Sequence, residues 1–250
     1  MVGPTSGELM PPASRNTSLP LAAVAAFVLG PSALLGVTAP AHAQQDVDAR
    51  TVAAYVQSFY DSTKTVQAHF YQTYYHKLYD RYERSKGEVA FKKPGMMRWD
   101  YDRPNGKVIV SDGRKVQVFD PGGEGERPQL LEQRMSEHQL PQAFSFLTGT
   151  GRLDEEFRFR LLDPEREGFR KGHVLELRPK EPSPHYDRIL FYVQVVGEGD
   201  RKAGVVRRVL IVDPAGNRNR FDFKGLKFDR KVPASHFGFQ PPRGTRRVRN

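Results

Sequence analysis

The chain has 250 residues, of which 38% are hydrophobic, 27% are charged and none is cysteine. That apolar share supports a packed core and excludes global disorder. The missing thiol excludes disulfides, thiolate metal sites, cysteine nucleophiles and lipid attachment through cysteine. The formal net charge of +10 points to anionic partners.

Residues 1–18 are polar, with Arg15 as their only base, and are followed by the apolar run LPLAAVAAFVLGPSALLGVTAP, broken by Gly30, Pro31 and Gly36. The run ends in Ala41-His42-Ala43, an A-x-A cleavage pattern. This predicts a secretory signal peptide over 1–43, with Met10 as an alternative start and a retained anchor as the competing reading. Cleavage removes one base (Arg15) and one acid (Glu8) and leaves the charge at +10. The remaining chain, 44–250, is expected to be a single periplasmic domain. Export makes nucleic acid an unsuitable partner for its basic surface.

DVDARTVAAYVQSFY, from Asp46 to Tyr60, places Val52, Tyr55, Val56, Phe59 and Tyr60 on one stripe of a helix, with Asp46 or Asp48 as its cap. The period then changes from 3.6 to 2. TVQAHFYQTYYHKLYDRYE, GEVAFKK, MMRWDYD, KVIVSDG, KVQVFDP, QLLEQRM, EFRFRLLD, HVLELRP, ILFYVQVVG, VVRRVLIVD, RNRFDFKGLKFD and HFGFQPP follow in turn. Pro-Gly, Pro-Asn-Gly, Ser-Asp-Gly and Pro-Gly-Gly punctuate them as turns. The pattern predicts a mainly β protein of about eleven strands in antiparallel order, in a sheet that curls or closes. One helical interruption is expected in EHQLPQAFSFLTGTG, where Leu140, Phe144 and Leu147 share a face and Gly149 and Gly151 stop the helix. The last residues, RGTRRVRN, read as a frayed basic tail, with docking to an acidic surface as the alternative.

No catalytic constellation is visible. The histidines left after cleavage (His69, His76, His138, His173, His185 and His236) form no H-x-H or H-x-x-x-H pair, and no metal or cofactor is expected. Ser111-Asp112-Gly113 reads as a hairpin turn rather than a nucleophile, and Glu155-Glu156 as a solvated lead-in to a strand. What the strands offer is apolar surface. Val89 and Phe91 alternate; so do Met97, Trp99 and Tyr101, then Val108 and Val110, then Val116 and Val118. That face is either core or the lining of a cavity beneath helices, and methionine suits an adaptable binding surface.

The chain resembles the outer-membrane lipoprotein carrier (LolA) family. The resemblance is carried by Val66-Gln67-Ala68-His69-Phe70-Tyr71-Gln72, by GEVAFKKPGMMRW from Gly87 to Trp99, by Val110-Ser111-Asp112-Gly113, and by Phe237-Gly238-Phe239-Gln240-Pro241-Pro242-Arg243-Gly244 near the end. It implies an incomplete antiparallel β-barrel with short helices forming a lid over an apolar cavity. The implied activity is non-enzymatic. A monomer would take acyl chains of lipoproteins from an inner-membrane ABC-type releasing complex and hand them to an outer-membrane acceptor. The cavity and rim residues would be Val89, Phe91, Met97, Trp99, Tyr101, Val110, Val118, Leu140, Phe144 and Leu147. Lys93 stands where the family has an arginine that ties barrel to lid. A lipid or lipoprotein sensor, or a carrier of another lipid, remains open on the same fold.

Overall fold

The computed structural model describes residues 47–134, 144–149 and 151–249. The expected signal peptide and Leu140 lie outside the described residues. The first helix, α1 (Ala49–Ser62), is capped by Asp48, whose carboxylate accepts the Thr51 amide at 2.7 Å. It buries Val52, Ala53, Val56 and Tyr60, as its apolar stripe requires.

Twelve strands follow. They are β1 (Thr65–His76), β2 (Arg81–Lys92), β3 (Met96–Tyr101), β4 (Val108–Asp112), β5 (Lys115–Asp120), β6 (Gln129–Arg134), β7 (Phe157–Leu162), β8 (His173–Pro179), β9 (Arg188–Val196), β10 (Ala203–Val212), β11 (Arg218–Phe228) and β12 (Arg246–Arg249). Between β6 and β7 lie two single-turn helices, α2 (Ser145–Thr148) and α3 (Leu153–Glu156). The strands form one sheet in the order β12-β6-β5-β4-β3-β2-β1-β11-β10-β9-β8-β7. Its neighbours are antiparallel except β12 with β6. The two ends, β7 and β12, do not pair, so the sheet stays open rather than closing into a barrel.

The order explains itself. Successive hairpins build β2 to β6 outward on one side of β1 and β10 to β7 on the other. The pairing of β1 with β11 joins the two halves at the centre. Two close approaches set the geometry. A Cβ at Gly87 would fall 1.9 Å from the Asp100 carbonyl oxygen, so β2 and β3 meet there only because the residue is glycine. A Cβ at Gly204 would fall 2.7 Å from the Val56 amide nitrogen, which lets α1 lie directly on β10.

Two elements depart from the sequence reading. The run at 236–242 is not a strand; it begins within a 3-10 turn, Ala234–Phe237, and its prolines cannot join a ladder. The basic tail is not frayed: Arg246 to Arg249 pair in parallel with Gln129 to Glu132, and Arg247 meets Glu132 at 2.8 Å. Glu155-Glu156 leads directly into β7, as the sequence suggests, and does so as the end of the helical turn α3. None of the helices among the described residues is long and apolar enough to cross a membrane.

Candidate functional site

One face of the sheet carries the main core, and α1, α2 and α3 cover it. Alternation on β2 and β3 turns Val89, Phe91, Met97 and Trp99 toward this layer, and all four are buried. Tyr101 follows in register and is partly buried; burial pushes its phenol up to about 12. Val118 also faces this layer, partly buried.

Val110 does not. Trp99 pairs with Ile109 and Arg98 with Val110, so Ile109 faces the helices and Val110 the opposite side. There Val110 packs with Ala90, Val232 and Phe237. The C-terminal segment lies across this outer face, held by the Arg98 guanidinium. That group donates to the His236 and Gly238 carbonyls at 3.1 Å each and pairs with Asp100 at 2.6 Å. The F-x-F-x-P-P-x-G motif is therefore a strap over the back of the sheet.

The helical interruption supplies the cover. Phe144 and Leu147 are both buried under it. Phe144 stands against Trp99 with centroids 5.2 Å apart and against Phe221 at 5.3 Å. Phe146 meets Tyr60 of α1 at 4.8 Å and Phe191 of β9 at 4.9 Å. Trp99 also touches Phe70 and Phe221, at 4.9 and 5.3 Å. The rings form two groups within one apolar layer that runs from β3 to β9, with most pairs edge-on as aromatic quadrupoles prefer and Phe146–Phe191 tilted. Sequence reasoning missed its far half (Phe70, Phe146, Phe191, Phe221 and Phe223), although these residues alternate visibly in HFY, SFL, LFY and FDF.

The void between Tyr60, Phe91, Phe146, Leu147 and Phe223 measures about 10 Å³, room for about one water and far less than an acyl chain needs. Side chains of the sheet and of the cover occupy most of the space between them.

Few polar contacts hold the cover. Lys93, in the turn after β2, donates its ammonium to the Tyr60 carbonyl and to the Asp61 carbonyl at 3.3 Å. These are C-terminal carbonyls of α1, where a cation is favoured. Burial lowers the Lys93 pKa, and Asp61 and Asp229 oppose that shift. Its stem also runs beside α2, where a Cβ at Gly149 would come within 2.7 Å of Lys93 Cδ. The Gly95 amide donates to the Thr148 carbonyl at 3.0 Å, and the Leu153 amide to the Gln57 side chain at 2.9 Å. The Val206 amide donates to the Tyr60 hydroxyl at 3.3 Å. Burial raises the Tyr60 phenol far above its usual range. Among the described residues, no three His, Asp or Glu side chains gather where they could hold a metal.

An open sheet whose apolar face lies beneath a few short helices, joined to it by a handful of hydrogen bonds, defines a half-barrel protein with a helical cover. The family model described as "Outer membrane lipoprotein carrier protein LolA" matches residues 61–240, and the chain belongs to that family. It is 29% identical over 217 residues to an outer-membrane lipoprotein carrier protein of Pseudomonas entomophila, spanning 85% of this chain and 93% of that one. It is 28% identical over 189 residues to one of Nitrosospira multiformis, spanning 76% and 84%. Among solved structures, a LolA superfamily protein of Nitrosomonas europaea is similar over 77% of this chain and 98% of its own, with 14% identity and a TM-score of 0.42.

Proposed function

We propose that this protein is a periplasmic lipoprotein carrier. It would take up the acyl chains of lipoproteins released by an inner-membrane ABC-type complex and deliver them to an outer-membrane acceptor, without chemistry of its own. The observation that carries the reading is the aromatic layer around Trp99, sealed by α1 and α2 and latched through Lys93. The family membership and the carrier names of the relatives support it.

The energetics suit a carrier. Exposing an acyl chain to water costs roughly 0.8 kcal/mol per CH2, or about 12 kcal/mol for about fifteen carbons. Only an apolar enclosure offsets that. Opening the enclosure breaks a few hydrogen bonds, each worth on the order of 1 kcal/mol net. Cargo that replaces Phe144 and Phe146 against the sheet restores the lost apolar contact, so loading and release stay close to balance. The sheet face is built on paired backbone and need not move.

The chain's single tryptophan lies in this layer, so the test needs no label. Trp99 emission is titrated with a triacylated lipopeptide, with its unacylated peptide and with a phospholipid. A saturable change with the lipopeptide alone is expected. An equal response to phospholipid replaces lipoprotein by lipid as cargo. If no acylated ligand moves Trp99, the layer is ordinary core and the carrier reading falls.

A further inference from the structure

Beyond the covered layer, β1 and β2 run on as a long hairpin. Phe70 is the last β1 residue in the core. Six more residues, 71–76, extend past it before the turn, a projection of about 20 Å at roughly 3.3 Å per residue. Four of the five large hydrophobic side chains exposed among the described residues sit on this projection: Tyr71, Leu78, Tyr79 and Tyr82. Leu78 is 84% and Tyr79 is 73% exposed at the turn itself.

Basic residues surround them. Tyr75 lies opposite Tyr82 with ring centroids 4.7 Å apart, Tyr71 lies opposite Lys86, and Thr73 opposite Arg84. Arg218 of β11 sits 5.8 Å from the centre of the Tyr75 ring. Lys77, Arg81, Arg84, Lys86 and Arg218 thus outnumber the acids near the tip, Asp80, Glu83 and Asp213 of the adjoining β10–β11 turn. Asp80 is turned back, accepting the Tyr75 hydroxyl at 3.0 Å. Glu83 lies 3.7 Å from both Arg81 and His76, and Lys86 lies 3.9 Å from Asp102, just past the end of β3.

We propose that the β1–β2 hairpin tip docks the protein on an anionic phospholipid bilayer, with Leu78 and Tyr79 entering the acyl boundary and the surrounding lysine and arginines meeting the headgroups. Tyrosine and leucine beside basic side chains make the composition that partitions at a membrane interface. The backbone allows it. β1 is paired on both sides over this stretch, with β2 and with β11, so only the short turn enters the headgroup zone without a ladder. The Lys77 amide is itself satisfied by the Asn217 side chain at 2.9 Å. The tip lies at the far end of β1 and β2 from the Lys93 latch, so docking leaves the cover free to open. The proposal stands apart from any cargo.

The test is flotation of the full chain with vesicles of phosphatidylglycerol and phosphatidylethanolamine, against vesicles of phosphatidylcholine, at low and high salt. All variants share the same N-terminus, so its apolar run contributes equally. Binding to the anionic vesicles is expected, weakened at high salt and by roughly five-fold for each of Lys77→Gln and Arg81→Gln. The double variant Leu78→Ser, Tyr79→Ser should bind at least about ten-fold more weakly. In a Tyr79→Trp variant, lipids brominated on the acyl chain should quench the new tryptophan, while parental Trp99 emission stays unquenched and reports an intact fold. Undiminished binding by the double variant, equal binding to neutral vesicles, or an unquenched tryptophan at 79 overturns the proposal. Absence of vesicle binding with tip-dependent self-association in sedimentation velocity overturns it in favour of a second copy. The vesicles hold no lipoprotein, so these outcomes do not depend on the lipopeptide titration.

Discussion

Phe144 stands edge-on to Trp99, their ring planes crossing at 68° with centroids 5.2 Å apart. One ring belongs to the cover and the other to the sheet, so this contact is where the two layers part if the protein opens. Phe144→Ala removes the ring but no strand. A loss of about 3 kcal/mol in urea unfolding is expected, together with greater quenching of Trp99 by acrylamide in the native state. Unchanged quenching would show that the cover seals without Phe144.

The second contact across the same seam is polar. Lys93→Met keeps the stem against Gly149 but removes the ammonium from the Tyr60 and Asp61 carbonyls, leaving Tyr60 with the Thr63 amide at 3.2 Å. A cost of about 1–2 kcal/mol and faster exchange of a bound apolar dye are expected. Lys93→Arg supplies a planar fork at the same place and should slow that exchange relative to the parent. Stopped-flow dye release separates the three proteins. Identical rates would remove Lys93 from the latch.

At the sheet's N-terminal half, the last strand covers the edge of β6. Leu130 on β6 is fully buried, and Glu132 accepts from Gln117 at 2.6 Å and pairs with Arg247 at 2.8 Å. The Gln117 hydrogen bond, with help from the Lys115 and Arg247 charges, holds the Glu132 carboxyl below its usual range. Deleting residues 246–250 uncovers that ladder. A stability loss of about 1–3 kcal/mol is expected, with a concentration-dependent increase in sedimentation coefficient as bare β6 edges meet. A truncated chain that stays as stable and as monodisperse as the parent would make β12 decorative.

How far the sequence carried these features depends on whether their signal was local. Met97, Trp99 and Tyr101 alternate with Arg98 and Asp100, so their face was legible. VIV, from Val108 to Val110, has no polar residue to break the tie, and only the pairing of Trp99 with Ile109 settles which valines face out. β12 contains one apolar residue, Val248, among arginines. Its pairing with β6 is parallel and more than a hundred residues distant, so nothing nearby announces it. The far half of the aromatic layer alternates clearly in β9 and β11. It went unassigned because sequence alone did not show that those strands share the helix-covered face with β3.

The same face carries one titratable group with a defined pH signature. His173 begins β8 opposite the fully buried Val193, in the row that continues with Leu175 and Leu177. Burial lowers its pKa from the ordinary 6.5. The unfolded chain therefore takes up a proton near pH 6.5, while the folded chain resists until a lower pH. Through that window the unfolded state holds more protons, so stability falls as pH drops below 6.5 toward the lowered folded value, and the loss is complete below it. His173→Gln has no such proton to take up. Urea midpoints measured from about pH 8 to about pH 5 should show a shallower acid decline for the variant than for the parent. Parallel curves would place the acid sensitivity on other groups.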